Sequence, residues 1–145
     1  MMIKSVVSLM IIALCATSLI AQVPSTNTLP TIQRQQMIQQ LIDLPELQQF
    51  YHAELPERQP LKLLAGPMVT PNLVLRKFNQ PVLILSQQQL ARRGIRDYLN
   101  ITQLRVRQDT VDFRFGYNIE GVVGAGKLVK HPQGWVVYKY YVAEN

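Results

Sequence analysis

The sequence predicts an α+β domain in which N-terminal helices pack on a curved antiparallel sheet that ends in a C-terminal β-meander. Three patterns predict it. Between residues 31 and 55, apolar residues recur at helical spacing with glutamines between them. From Val111 to Glu120, apolar and polar residues alternate strictly, which is the period of a half-buried strand. The strand-like segments around it are joined by links too short for anything but antiparallel pairing.

At the N-terminus, Lys4 precedes an apolar run over residues 6–14, and small residues follow as far as Ala21. That is the layout of a secretory signal peptide, residues 1–21, removed after Ala21. The run is shorter than the ~20 residues of a membrane-crossing helix. Leu14 stands where a lipoprotein would need a small residue before Cys15. The expectation is export, to the periplasm or outside the cell. Residues 22–30 are polar, carry two prolines and read as a flexible linker. Residues 31–145 then form a single domain.

Within that domain a helix is expected from near Thr31 to Ile42, with Ile38, Leu41 and Ile42 as its apolar stripe. Its glutamines, among them Gln35, Gln36, Gln39 and Gln40, are expected to face water. Asp43-Leu44-Pro45-Glu46 reads as a stop and restart, with Pro45 tolerated in a first turn. The second helix would place Leu47, Phe50 and Tyr51 on one face and end before Pro56. A strand follows at residues 61–65, then a hairpin of 73–78 with 81–85 turning at Asn79 and Gln80. Ser86 and Gln89 fit a capping box for a short helix, which Gly94 closes. Leu104 and Val106 mark a short strand before a turn at 108–110. Strands at 111–119, 122–130 and 135–142 complete the meander. Gly121, Gly124 and Gly126 are expected to supply a bulge or bend that lets the sheet curl.

Composition narrows the chemistry. Loss of residues 1–21 would remove the single cysteine, leaving no disulfide, no thiol nucleophile and no cysteine-bound metal. The mature chain would carry 14 Lys and Arg (15 less Lys4) against 9 Asp and Glu, a net charge of +5. The charge is uneven: from Arg58 to Arg96 there are seven basic residues and no acidic one. Such a stretch suits an anionic partner or a solvated basic surface.

No catalytic set appears. His52 has Glu54 and Glu57 nearby but no ligand spacing, and His131 heads a turn, so no metal or cofactor is expected. Asp109, Asp112 and Glu120 are the carboxylates within reach of acid–base work, with Asp112 and Glu120 expected to point to water. The glycines of residues 121–126 are not a phosphate loop, because a strand and not a helix follows them. Trp135, Tyr138, Tyr140 and Tyr141 make the last strand aromatic on both faces. One face is explained by the core, and the other is left for a pocket or an interface. Arg92, Arg93 and Arg96 form a candidate anion-recognition cluster beside it, or the wet side of a short helix.

The order of elements, with FRFGYNIEG over residues 113–121, LVK over 128–130 and GWVV over 134–137, resembles the cystatin-like or nuclear-transport-factor-2-like cone fold. The resemblance covers residues 31–145 as a pattern of elements. It implies a sheet wrapped around a helix with a pocket at the open end, as in small secreted bacterial proteins. It does not extend to the cystatin inhibitor branch: residues 120–124, EGVVG, lack the Gln-x-Val-x-Gly tip. The expected function is that of an exported, non-enzymatic binding or assembly module of the bacterial envelope. Its ligand-binding residues would come from Arg92, Arg93, Arg96, Tyr117, Trp135 and Tyr138. One alternative is a cone-pocket enzyme for a small apolar or anionic substrate, marked by a buried carboxylate facing Tyr117 or Trp135. The other is a basic envelope protein held weakly to anionic lipid or polymer. The partner would be a protein or a small molecule. Nucleic acid is not expected, since no nucleic-acid module is present and the protein is expected outside the cytoplasm.

Overall fold

The computed structural model describes residues 29–145, so the predicted signal peptide and most of the predicted linker lie outside the described residues. Helix α1, Thr31–Ile42, forms where its periodicity places it and buries Met37, Ile38, Leu41 and Ile42. The next segment differs from expectation, being a 3₁₀-helix, Pro45–Tyr51, and not an α-helix. Gln48 donates to the carbonyls of Ile42 and Leu44, and the Tyr51 hydroxyl donates to Ile42 O at 2.9 Å. The last carbonyl of α1, Ile42 O, is thereby satisfied without a continuous helix. Leu47 and Tyr51 still enter the core, as their spacing suggested.

Eight strands follow or flank a second short helix. They are β1 Lys62–Leu64, β2 Arg76–Lys77, β3 Gln80–Pro81, β4 Leu83–Leu85, β5 Leu99–Arg107, β6 Thr110–Tyr117, β7 Val122–His131 and β8 Gly134–Glu144. Helix α2, Gln87–Arg92, lies between β4 and β5. The main sheet has six strands in the order β4-β1-β5-β6-β7-β8. β1 pairs in parallel with both neighbours, and β5 to β8 form the expected antiparallel meander. The class is α+β. Among the described residues no helix is long and apolar enough to cross a membrane.

The expected hairpin of 73–78 with 81–85 shrinks to the short pair β2–β3. It turns at Phe78 and Asn79, both at positive φ, the backbone of a tight primed turn. β4 leaves that pair and joins the main sheet beside β1. Burial explains the change: Leu73, Leu75, Val82 and Leu85 all go into the interior, which a free-standing hairpin could not achieve. At α2 the capping box is present in both directions between Ser86 and Gln89, and Gly94 adopts φ 64 past the end.

The inner face of the meander carries Val111, Phe113, Phe115 and Tyr117 from β6, with α1 lying against β8. Gly124 and Gly126 act here differently from expectation. They stand opposite Phe115 and Phe113 in the β6–β7 register, and the two rings lie flat over them. The register shifts are elsewhere, at Thr102 in β5 and at Tyr138 in β8. The bulge at Tyr138 has a clear consequence. Before it Trp135 and Val137 face inward; after it Tyr140 and Val142 do, so the alternation of β8 changes phase.

Gln36 of α1 is exposed as expected, but Gln35, Gln39 and Gln40 are not a wet face. Gln40 pairs with the outer edge of β8, donating to Trp135 O and accepting from Val137 N. Gln39 does the same on the other side, accepting from Arg76 N and donating to Arg76 O, while Gln35 accepts from Val74 N. A primary amide carries one donor and one acceptor side by side, as a peptide group does. These side chains thus act as single rungs of a ladder and fix α1 between two exposed backbone edges.

Candidate functional site

The six residues singled out from sequence fall in three places. Arg92, Arg93 and Arg96 are exposed on α2 and the loop after it, next to β4. Tyr117 and Trp135 are buried core residues, 1% and 4% exposed. Tyr138 is 68% exposed on the opposite face of the sheet from Trp135. β4 and β8 are the two edges of the sheet, five strand spacings or ~24 Å apart. The arginine cluster and the aromatic strand therefore do not form one site.

Tyr117 lies at a charged end of the sheet, where the carboxylates relevant to an enzyme stand. Arg58 donates to Glu120 Oε1 at 2.6 Å and to the Tyr117 hydroxyl at 3.4 Å. His52, at φ 48, has Nε2 3.6 Å from the other Glu120 oxygen and Nδ1 3.0 Å from Glu54. Lys62, nearly buried, pairs with Asp97 at 2.7 Å and donates to Glu57 O. Burial pushes the Tyr117 phenol above its ordinary pKa, partly opposed by Arg58. The Glu54 carboxyl sits below the usual range, first because of its own backbone N–H and then because of His52. Glu120 is turned to Arg58 and not to water, which corrects the expectation for it. Glu120 and Asp97, the carboxylates that act on the Tyr117 phenol, are each paired with a cation, Arg58 and Lys62. Among the described residues no group of three or more His, Cys, Asp or Glu is placed to hold a metal.

The outer face of the meander is different. Among the described residues no helix packs on it, and strand alternation brings its side chains into rows through the register. One row across β5 to β8 is Arg105, Asp112, Lys127, Lys139. The next is Gln103, Arg114, Ala125, Tyr141, and on the other side Arg107, Thr110, Val129, Val136. Five cations thus surround one carboxylate. Asp112 is shared between Lys127 at 3.3 Å and Arg107 at 3.8 Å. Among the described residues Arg105, Arg114 and Lys139 have no acidic partner within 4 Å. Tyr138, Tyr141 and Val136 stand on the same face, 68%, 59% and 46% exposed. A depression of about 300 Å³ opens among Asp112, Ala125, Lys127, Lys139 and Tyr141.

Of these residues only Tyr138 was among the six ligand-binding candidates; Asp112 and Tyr141 were read from sequence as a carboxylate and a strand aromatic, not as parts of one face. The alternation that located β6 also placed Asp112 and Arg114 outward. The rows themselves depend on a register with two bulges, and no local pattern signals where those fall. Without the bulge at Tyr138, Tyr140 would share a face with Tyr138 and Tyr141 would point inward.

A scan against protein-family models, a search of curated proteins and a search of solved structures each found no match to this chain.

Proposed function

We propose that this chain is a non-enzymatic binding module that takes an anionic polymer on the uncovered face of the β5–β8 meander, acting after export from the cytoplasm. The observation that carries the reading is the outer face itself, with Arg105, Arg107, Arg114, Lys127 and Lys139 around the lone Asp112, and with Tyr138 and Tyr141 between them. Neighbouring strands are ~4.8 Å apart and same-face residues along a strand ~6.7 Å, so these cations match closely spaced charges on an extended chain, and screening makes such binding weaken as salt rises. Exposed aromatic rings add contact area that does not depend on salt. The α1 helix seated against a bent meander supports a cone of the cystatin-like or nuclear-transport-factor-2-like kind, whose outer sheet surface would be the working one here. The basic loop of α2 is the competing surface.

The test compares two charge-neutralised variants for binding to a sulfated dextran in 50 mM and 300 mM salt. Arg105→Gln/Arg114→Gln/Lys139→Gln should weaken binding by tenfold or more. Arg92→Gln/Arg93→Gln/Arg96→Gln should change it less than threefold. The reverse ranking would move the function to α2, and equal effects would reduce it to net charge.

A further inference from the structure

Resting on that reading, we propose that the depression at Lys127, Lys139 and Tyr141 is a subsite for a carboxylated sugar, so that the polymer recognised is an acidic polysaccharide. Three features point there. The first is an incomplete charge row. Lys127 and Lys139 face each other directly in the β7–β8 register, and like charges in that relation repel. Asp112 compensates Lys127 from the β6 side, but among the described residues no carboxylate lies within 4 Å of Lys139. Along the row the signs run plus, minus, plus, plus, and one anionic group between the two lysines would restore alternation.

The second is the shape beside that row. Ala125 lies between Arg114 and Tyr141 in the neighbouring row, and its small side chain leaves the depression open. The Tyr141 ring forms the apolar wall. A volume of about 300 Å³ suits one six-membered ring with its substituents, and the apolar C–H face of a pyranose can lie on the phenol. The third is Asp112. A carboxylate in a site for anions repels them, but it accepts hydrogen bonds from hydroxyl groups. A ligand bearing both a carboxylate and vicinal hydroxyls uses Lys139 and Asp112 together, and a plain polyanion cannot.

Calorimetric titration of the protein at 150 mM salt with decagalacturonate, a ten-residue poly-glutamate and a ten-residue oligothymidylate tests this. Decagalacturonate should bind at least tenfold tighter than poly-glutamate, and tighter than the oligonucleotide. Tyr141→Ala and Asp112→Asn should each reduce the sugar preference at least fivefold, while poly-glutamate affinity stays within twofold or rises for Asp112→Asn. Urea midpoints of both variants show that the fold is kept, since both side chains are on the surface. Equal affinity for the first two polymers, or a preference untouched by both variants, would overturn the sugar subsite and leave the anionic surface standing. Tighter binding of the oligonucleotide would overturn it in favour of nucleic acid. Absence of binding by all three even at 20 mM salt would overturn the anionic surface as well.

Discussion

Gly124→Ala tests how the sheet packs most sharply. A Cβ at residue 124 would stand 2.6 and 2.8 Å from Cε1 and Cε2 of Phe115, so it would press on the ring plane. Cζ lies closer still, and carbon atoms sit ~3.5–4.0 Å apart at their optimum, so the ring must retreat by more than ~1 Å. Phe115 is 2% exposed and stacks on Phe113 with centroids 6.3 Å apart, so it has no free space to enter. Overpacking of this kind costs about 1–3 kcal/mol. Removing a strand glycine returns about 0.5 kcal/mol through the unfolded chain. The net expectation is a loss of about 1.5 kcal/mol, a fall in Tm of roughly 6 °C for a domain of this size. Urea denaturation followed by circular dichroism measures it, with Gly66→Ala as the control, because nothing lies within 4 Å of a Cβ there. The decisive arm is the pair Gly124→Ala/Phe115→Leu. If the clash is with the ring, adding Gly124→Ala to Phe115→Leu should cost less than about 0.5 kcal/mol, a strongly non-additive cycle. Additive losses would refute the packing argument.

Other consequences follow from the ties described above. Gln40→Ala removes both bonds to the β8 edge and should cost about 1–2 kcal/mol in the same urea assay; a loss below about 0.3 kcal/mol would mean that water replaces the amide freely. Lys62→Met keeps the buried stem but strands Asp97, and should cost about 3 kcal/mol, of which Asp97→Asn in the same chain should return a part. An unchanged midpoint in Lys62→Met would show the pair to be idle. Burial raises the phenols of Tyr51 and Tyr117, and a hydrogen bond to Glu46 raises that of Tyr140. For groups whose folded pKa is raised, the stabilisation is fully present below the unfolded value of ~10 and is lost as pH rises through the folded value. The urea midpoint should therefore fall between pH 10 and pH 11.5, and less steeply in Tyr51→Phe. A flat midpoint over that interval would contradict the assignment.

The parts of this fold that read directly from sequence are those in which one local period dominates. α1, the capping box at Ser86 and the alternation of β6 depend on neighbours within a few residues, and each stands where its pattern placed it. What was not legible depends on distant partners. Residues 45–51 have an apolar face compatible with either helix type, and the carbonyls taken by Gln48 and Tyr51 decide between them. The segment 81–85, a short apolar run after a two-residue turn, reads as a hairpin arm, yet it pairs beside β1 in the main sheet. The glutamines of α1 look like solvated side chains until the backbone edges at Arg76 and Val137 are brought beside them. The arginines at the end of α2 and in the loop after it were conspicuous because they fall within five positions, 92–96. The five cations of the outer face are scattered over 35 positions from Arg105 to Lys139 and meet only through strand pairing.

The central claim is that an anionic polymer lands on the outer face of the meander, and amide chemical-shift mapping tests it most directly. Residues 22–145, labelled with ¹⁵N, would be titrated with decagalacturonate at 50 mM salt. Shifts should concentrate at Arg105, Arg114, Lys127, Lys139 and Tyr141, with α2 silent. Shifts centred on Arg92, Arg93 and Arg96, or a spectrum unchanged at millimolar ligand, would contradict it.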